Sequence, residues 1–201
     1  MAADEISALV FDLGGVIVDH DNSVMHRKIA GRCRAGWTAD QIAEATADAH
    51  WGTGRPVVEL YRTLTRDAGY DGSWDAFTQD FSCHLVLNPA MLALVEALAS
   101  RRRVVIFSNT NAVHWQSQIE ASAGRLGAFE RCLSFEMGCA KPSLEAFRMV
   151  AETLGLAAET LLFFDDVAAN VEGARRAGFQ AERFVDQAAL VHSLSARGIA
   201  A

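Results

Sequence analysis

The sequence lacks any apolar run approaching the ~20 residues that span a bilayer. The apolar stretch Ala8–Val18 is interrupted by Asp12 and by Gly14–Gly15, and Met1–Ser7 before it is acidic rather than basic. That arrangement fits neither a membrane span nor a secretion signal, so a cytoplasmic location is expected. Positive charge is also scarce: 18 Lys and Arg against 25 Asp and Glu give a formal charge of -7. Such a surface repels phosphate backbones and disfavours nucleic acid as a partner. Arg101–Arg102–Arg103 reads as a solvated turn. An anionic small molecule would need a pocket of positive potential inside that acidic field. The four cysteines, Cys33, Cys83, Cys132 and Cys139, form no CxxC pair and show no zinc spacing. They are expected to be reduced, buried thiols. There is no repeat and no low-complexity tract, and 51 % hydrophobic against 21 % charged residues excludes a disordered chain.

What is present is the pattern of a layered α/β chain. Ile6–Phe11, Val104–Phe107 and Leu161–Phe164 are short, apolar and bounded by polar residues. Such runs predict buried parallel strands. Arg131–Phe135 and Gln180–Phe184 are weaker candidates. Helical patterns occupy Pro89–Ser100, Ala112–Ala123, Ser143–Leu154, Ala168–Ala177 and Gln187–Ala196; in the first, Leu92, Val95, Leu98 and Ala99 share a face. The alternation predicts a Rossmann-like parallel sheet with helices on both faces. Between Asp21 and Leu87 no strand is evident. Four helix-like segments, near 22–34, 39–50, 56–68 and 74–86, are separated by turn signals at Gly36, Gly52–Thr53–Gly54 and Gly69–Tyr70–Asp71–Gly72. The expected organisation is a core domain of residues 1–20 and 88–201, with a small helical-bundle cap, 21–87, inserted after the first strand.

Ligands of open α/β sheets bind outside the carboxyl ends of the strands. Polar residues collect there: Asp12, then Ser108–Asn109–Thr110, then Asp165–Asp166, with Lys141–Pro142 after the fourth strand. Singly, each has a plain reading as a turn cap or a solvated lysine. Together they place carboxylates, a hydroxyl, an amide and a cation around one crevice. Three uncompensated carboxylates would repel one another. A divalent cation relieves this, and hard oxygen donors around a small site suit Mg²⁺. Metal and lysine could then neutralise a phosphoryl group while a carboxylate attacks phosphorus.

The segment Phe11-Asp12-Leu13-Gly14-Gly15-Val16-Ile17-Val18-Asp19 resembles the first motif of the haloacid dehalogenase-like (HAD) superfamily. Ser108-Asn109-Thr110-Asn111 resembles the second, Lys141-Pro142 the third, and Phe163-Phe164-Asp165-Asp166-Val167-Ala168-Ala169-Asn170-Val171-Glu172-Gly173-Ala174 the fourth. The helical insert is similar to the small cap of the family's first cap class. The chain is similar to bacterial α-D-glucose-1-phosphate phosphatases and, more distantly, to the phosphatase domain of soluble epoxide hydrolases. The resemblance implies that Asp12 is the nucleophile and a metal ligand, that Ser108 and the Asn109 amide bind the phosphoryl group, and that Lys141 balances charge. It implies Mg²⁺ held by Asp12, the Gly14 carbonyl and Asp166, with Asp165 holding a metal-bound water. Asn170 would orient that loop.

The pattern departs from the family at position 14. Most phosphatases of the superfamily carry there a second Asp, which protonates the leaving oxygen and activates water. Glycine cannot do so, and general acid–base help is worth ~10²–10⁴ in rate. Either the leaving group needs little protonation, or Asp19 or His20 substitutes. Two other readings stand beside the phosphatase: a 2-haloacid dehalogenase, against which the Asp165–Asp166 pair argues, and a weakened HAD-like binding module. The expected partner is a small phosphorylated metabolite, a sugar phosphate first. Trp51, Arg55 and His114 are candidate contacts to it. His50, Trp37, Trp74 and Trp115 are also near, but a cap Trp more often packs in the bundle. The sequence is also compatible with a homo-oligomer.

Overall fold

The computed structural model describes residues 6–34, 36–47 and 56–200. Strand β1 (Ala8–Phe11) is fully buried, and β2 (Val18–His20) follows after a tight turn. Four helices come next: α1 (Asn22–Ala30), α2 (Ala39–Thr46), α3 (Val57–Thr63) and α4 (Trp74–Ser82). The chain returns through β3 (Leu85–Leu87) to α5 (Pro89–Ala99), β4 (Arg103–Ser108), α6 (Ala112–Ala121), β5 (Glu130–Leu133) and the short α7 (Ser134–Met137). It ends with α8 (Leu144–Leu154), β6 (Leu161–Asp165), α9 (Ala168–Arg176), β7 (Gln180–Arg183) and α10 (Gln187–Ala196).

Five strands form one sheet in the order β5-β4-β1-β6-β7, and every pairing is parallel. Alternation along β1 divides the core. Leu9 and Phe11 face a cluster with Met91, Leu92 and Val95 of α5 and Leu190 and Leu194 of α10. Ala8 and Val10 face Phe147 and Val150 of α8 and Val171 and Ala174 of α9. Helices therefore cover both faces, as the continuous apolar strands require. All five expected strands and the five expected helices of this layer are present. Phe11 is level with Ile106 on one side and Phe164 on the other. That register is what brings Asp12, the end of β4 and Asp165 to one rim.

The helices between β2 and β3 have a cluster of their own: Met25, Ile29, Ile42, Leu60, Leu64, Phe77 and Phe81 are buried together. Three of these four helix starts are capped by a side chain, and α3 begins after Pro56 without one. Asp21 caps α1 and Ser73 caps α4, and Thr38 with Gln41 makes a capping box on α2. Helix α3 runs on as a π-helical turn, Leu64–Ala68, which Gly69 closes with φ +64°. Buried Asp80 accepts from Tyr70 Oη at 2.8 Å and pairs with Arg32 Nε at 2.7 Å, which ties this layer together. Burial and Asp80 together push the Tyr70 phenol far above its usual range. Trp37 and Trp74 pack against this cluster, the plain reading of a tryptophan here.

Two expectations need correction. The segment 74–86, read as helix, leaves the helix after Ser82, and Leu85–Leu87 pairs antiparallel with Val18–His20. The alternation was there to read: Leu85 and Leu87 pack on the core while Val86 is 61 % exposed. Three residues are too few for that period to stand out. The thiols are unpaired as expected, but only Cys132 is buried; Cys33 and Cys139 are half-buried and Cys83 is exposed. Among the described residues no helix is long and apolar enough to cross a membrane.

Candidate active site

At the rim, β1 delivers Asp12, which is buried and is anchored by Leu13 N–H donating to Oδ1 at 2.7 Å. The Lys141 ammonium, with no side-chain exposure, reaches across from the loop after α7. It donates to the Phe107 carbonyl at 2.9 Å, lies 2.9 Å from Asp12 Oδ1 and 2.7 Å from Asp165 Oδ2, and stands over the rings of Phe107 and Phe163. Asn109 fixes the lysine's backbone from both sides: its amide donates to the Lys141 carbonyl at 2.8 Å and accepts from the Lys141 N–H at 2.9 Å. Ser134 holds the next residue in the same manner, through both backbone groups of Thr110.

Asp165 is fully buried, and its oxygens are already engaged. Val167 N–H and the Asn170 amide donate to Oδ1, and Asn170 and Lys141 donate to Oδ2. Its neighbour Asp166 is half-buried and packs against the backbone of Gly15. A Cβ at residue 15 would lie 2.3 Å from Asp166 Oδ2, and φ there is +72°. The positive φ favours glycine, and any other residue would also push the Asp166 carboxylate aside.

Oxygens of Asp12, Asp165 and Asp166 lie within 4.8 Å of one another. Three carboxylates thus face one ammonium. Burial, reinforced by Asp165 and opposed by Lys141, pushes the Asp12 carboxyl from 3.8 to about 7. Burial and Asp165 also raise Asp166. This surplus of hard, negatively charged oxygen is what a divalent cation such as Mg²⁺ prefers. Asp12 and Asp166 retain lone pairs for it, whereas Asp165 is committed to orienting Lys141 and Asn170.

Asp12, Asp166 and Lys141 line a cavity of about 440 Å³, within the span of small-molecule sites. Ser108, Asn109, Lys141 and Asn170 line it beside the carboxylates, and the β2–β3 ribbon and α6 form other walls.

A family model described as haloacid dehalogenase-like hydrolase matches residues 6–178. The chain belongs to the haloacid dehalogenase-like hydrolases. It is 30 % identical over 190 residues to the phosphatase MT3486 of Mycobacterium tuberculosis (strain CDC 1551 / Oshkosh), covering 88 % of this chain and 86 % of that protein. Its fold is similar to the HAD family enzyme bt-2542 of Bacteroides thetaiotaomicron, crystallised with magnesium and inorganic phosphate. The TM-score is 0.79 at 24 % identity, with 92 % of this chain and 98 % of that one covered. A predicted HAD-like family hydrolase of Porphyromonas gingivalis gives 0.80 at 23 %, covering 96 % and 97 %.

In this HAD-like hydrolase the structure brings together Asp12, Gly14, Ser108, Asn109, Lys141, Asp165 and Asp166, the residues singled out from sequence. Trp51 and Arg55, and with them His50 and the Gly52–Gly54 turn, lie outside the described residues. His114 lines the cavity, but its ring is spent on the protein. Nε2 donates to the Phe81 carbonyl at 3.0 Å, so Nδ1 is the acceptor and takes the Asn111 amide proton at 3.1 Å. It holds α6 against α4 more than it offers a hand to a ligand. His20 lies over Gly14, where a Cβ would come 3.4 Å from its ring. Asp19 is exposed and outside the cavity lining. Sequence reasoning missed Asn22, His84, Leu85 and Gln118, all of which line the cavity. The spacing of His114 and Gln118, four apart on one helix face, is the signal that could have found the last.

Proposed function

We propose that this hydrolase is a Mg²⁺-dependent phosphatase acting on a small phosphorylated metabolite, with a sugar phosphate favoured, through an aspartyl-phosphate on Asp12. The observation that carries the reading is the buried Lys141 ammonium shared between Asp12, which lines the cavity, and Asp165. The phosphatase name of the mycobacterial relative supports the reaction, and the magnesium and phosphate bound to the bt-2542 enzyme support the cofactor. Mg²⁺ would be held by Asp12, the Gly14 carbonyl and Asp166, and would supply positive charge against the phosphoryl oxygens; Asp165, expected from the sequence to hold a metal-bound water, has its oxygens engaged by Lys141, Asn170 and Val167 instead.

An Asp12 oxygen attacks phosphorus, and the bond from phosphorus to the ester oxygen breaks. Ser108 and the backbone N–H of Asn109 bind the phosphoryl oxygens, and Lys141 balances the negative charge on them and on Asp12 as it redistributes. The leaving oxygen takes a proton, and the His20 imidazole over Gly14 is placed to give it. Water then cleaves the aspartyl-phosphate, releasing inorganic phosphate and restoring Asp12. Residues 21–87 act as a cap whose ribbon and helices set substrate access.

The test is release of phosphate from an ester panel (α-D-glucose 1-phosphate, other sugar phosphates, nucleotides) with Mg²⁺, with EDTA and with the Asp12→Asn protein. Metal-dependent release that disappears in the variant is expected. Binding of the esters without any release would instead leave a binding module.

A further inference from the structure

The cavity extends beyond the carboxylates along α6. Helix α6 packs against β3, and the two elements line that part of the cavity with His114, Gln118 and Leu85. Gln118 lies one turn beyond His114, about 6 Å further along the helix axis. It is 2 % exposed, and its Oε1 is buried without a hydrogen-bond partner.

The orientation of this amide follows from its neighbours. The Ser117 hydroxyl donates its one proton to the His114 carbonyl at 2.9 Å. Ser117 Oγ can therefore only accept, and it accepts from Gln118 Nε2 at 3.3 Å. The amide cannot be turned over without losing that bond, so the carbonyl oxygen is the end left without a donor. A buried acceptor without a donor is costly, and a cavity ligand that donates to it removes the cost. His114 offers no competing group, since both its ring nitrogens are engaged.

We infer that Gln118 is a specificity-determining residue: its Oε1 accepts a hydrogen bond from a hydroxyl on the alcohol portion of the substrate. Resting on the phosphatase reading, the inference defines the class as phosphate esters of polyhydroxylated alcohols, sugars and polyols, over aryl or simple alkyl phosphates. Leu85 supplies an apolar wall to the carbon skeleton, and the Asp12 end takes the phosphate. A site built to pair a hydroxyl discriminates strongly against analogues that lack it.

The experiment compares kcat/KM for sugar and polyol phosphates with that for p-nitrophenyl phosphate, whose alcohol part has no hydroxyl, in the Mg²⁺-loaded wild type and in Gln118→Leu and Gln118→Met. The preference for hydroxylated esters should fall roughly ten- to a hundred-fold in both variants. A deoxy sugar phosphate lacking the contacted hydroxyl should be insensitive to the substitution. An unchanged preference, or an equal fall for every ester, overturns the inference. If the wild type hydrolyses no ester, the phosphatase reading fails, and calorimetry on Mg²⁺-loaded Asp12→Asn protein decides Gln118 separately. Sugar phosphates should then bind more tightly than inorganic phosphate, with the margin lost on adding Gln118→Leu. No margin, or a margin that survives, overturns it.

Discussion

Asp12→Asn should stabilise the metal-free protein while removing its turnover. Burial and Asp165 hold the Asp12 carboxyl at about 7, against 3.8 ordinarily. A raised carboxyl pKa means that the folded chain holds the proton more tightly than the unfolded chain does. Between pH 3.8 and about 7 the folded state therefore binds more protons, and stability falls as pH rises through that window. Above it the loss is complete and constant. Three units at about 1.36 kcal/mol each set an upper figure of roughly 4 kcal/mol. Asn occupies the same volume and cannot ionise, so it escapes the loss. For a chain of this length, each kcal/mol moves Tm by roughly 2–4 °C. In EDTA at pH 8 the variant should melt above wild type by roughly 8–16 °C at most, and the gap should fall to less than half of that at pH 5 and toward zero only near pH 4. Saturating Mg²⁺ should narrow or reverse the order at pH 8, because only wild type offers the Asp12 carboxylate. A variant that melts below wild type in EDTA at pH 8 would refute the claim that Asp12 is held ionised against a surplus of negative charge.

Lys141→Met removes the ammonium but leaves Asp165 buried, so it should cost roughly 3–5 kcal/mol in urea denaturation at pH 7, far more than a surface lysine would. Gly15→Ala must relieve both the positive φ and the approach of Asp166; it should abolish the rise in Tm that Mg²⁺ gives wild type, and an unaltered rise would show that Asp166 is not held there for the metal. His20→Ala should slow hydrolysis of alkyl phosphates by roughly 10²–10⁴ and of p-nitrophenyl phosphate far less, because a nitrophenolate leaves without a proton. Equal slowing of both would remove His20 from proton transfer.

The sheet was legible because buried parallel strands must be apolar on both faces, so Ile6–Phe11, Val104–Phe107 and Leu161–Phe164 stand out against any background. Their ends were legible for the complementary reason: a polar residue that terminates such a run is at the rim. Register did the rest, since Phe11 level with Ile106 and Phe164 carries Asp12 to Asp165 without further specification. The β2–β3 ribbon was not legible, because three residues carry too little alternation, and Leu85 and Leu87 fit a helical face as well as a strand. Gln118 was missed for a different reason. A glutamine inside a helix reads as solvent-facing, and only the packing of α6 on β3 buries it.

The clamp that Asp165 puts on Lys141 also escaped the sequence, although Asp12, Asp165 and Asp166 were all in view. Asp165 turns inward to Lys141, Asn170 and the Val167 amide, and Asp166 turns to the cavity against Gly15. An aspartate with every acceptor taken does not need the metal to be stable, and Lys141 clamped between it and Asp12 does not need the substrate. The lysine is thus in place before either arrives. Charge stabilisation of this kind avoids reorganisation at the moment of reaction, which is the condition under which it accelerates phosphoryl transfer most. Asn109 is the residue that makes this possible, because its two bonds to the Lys141 backbone set where the side chain starts.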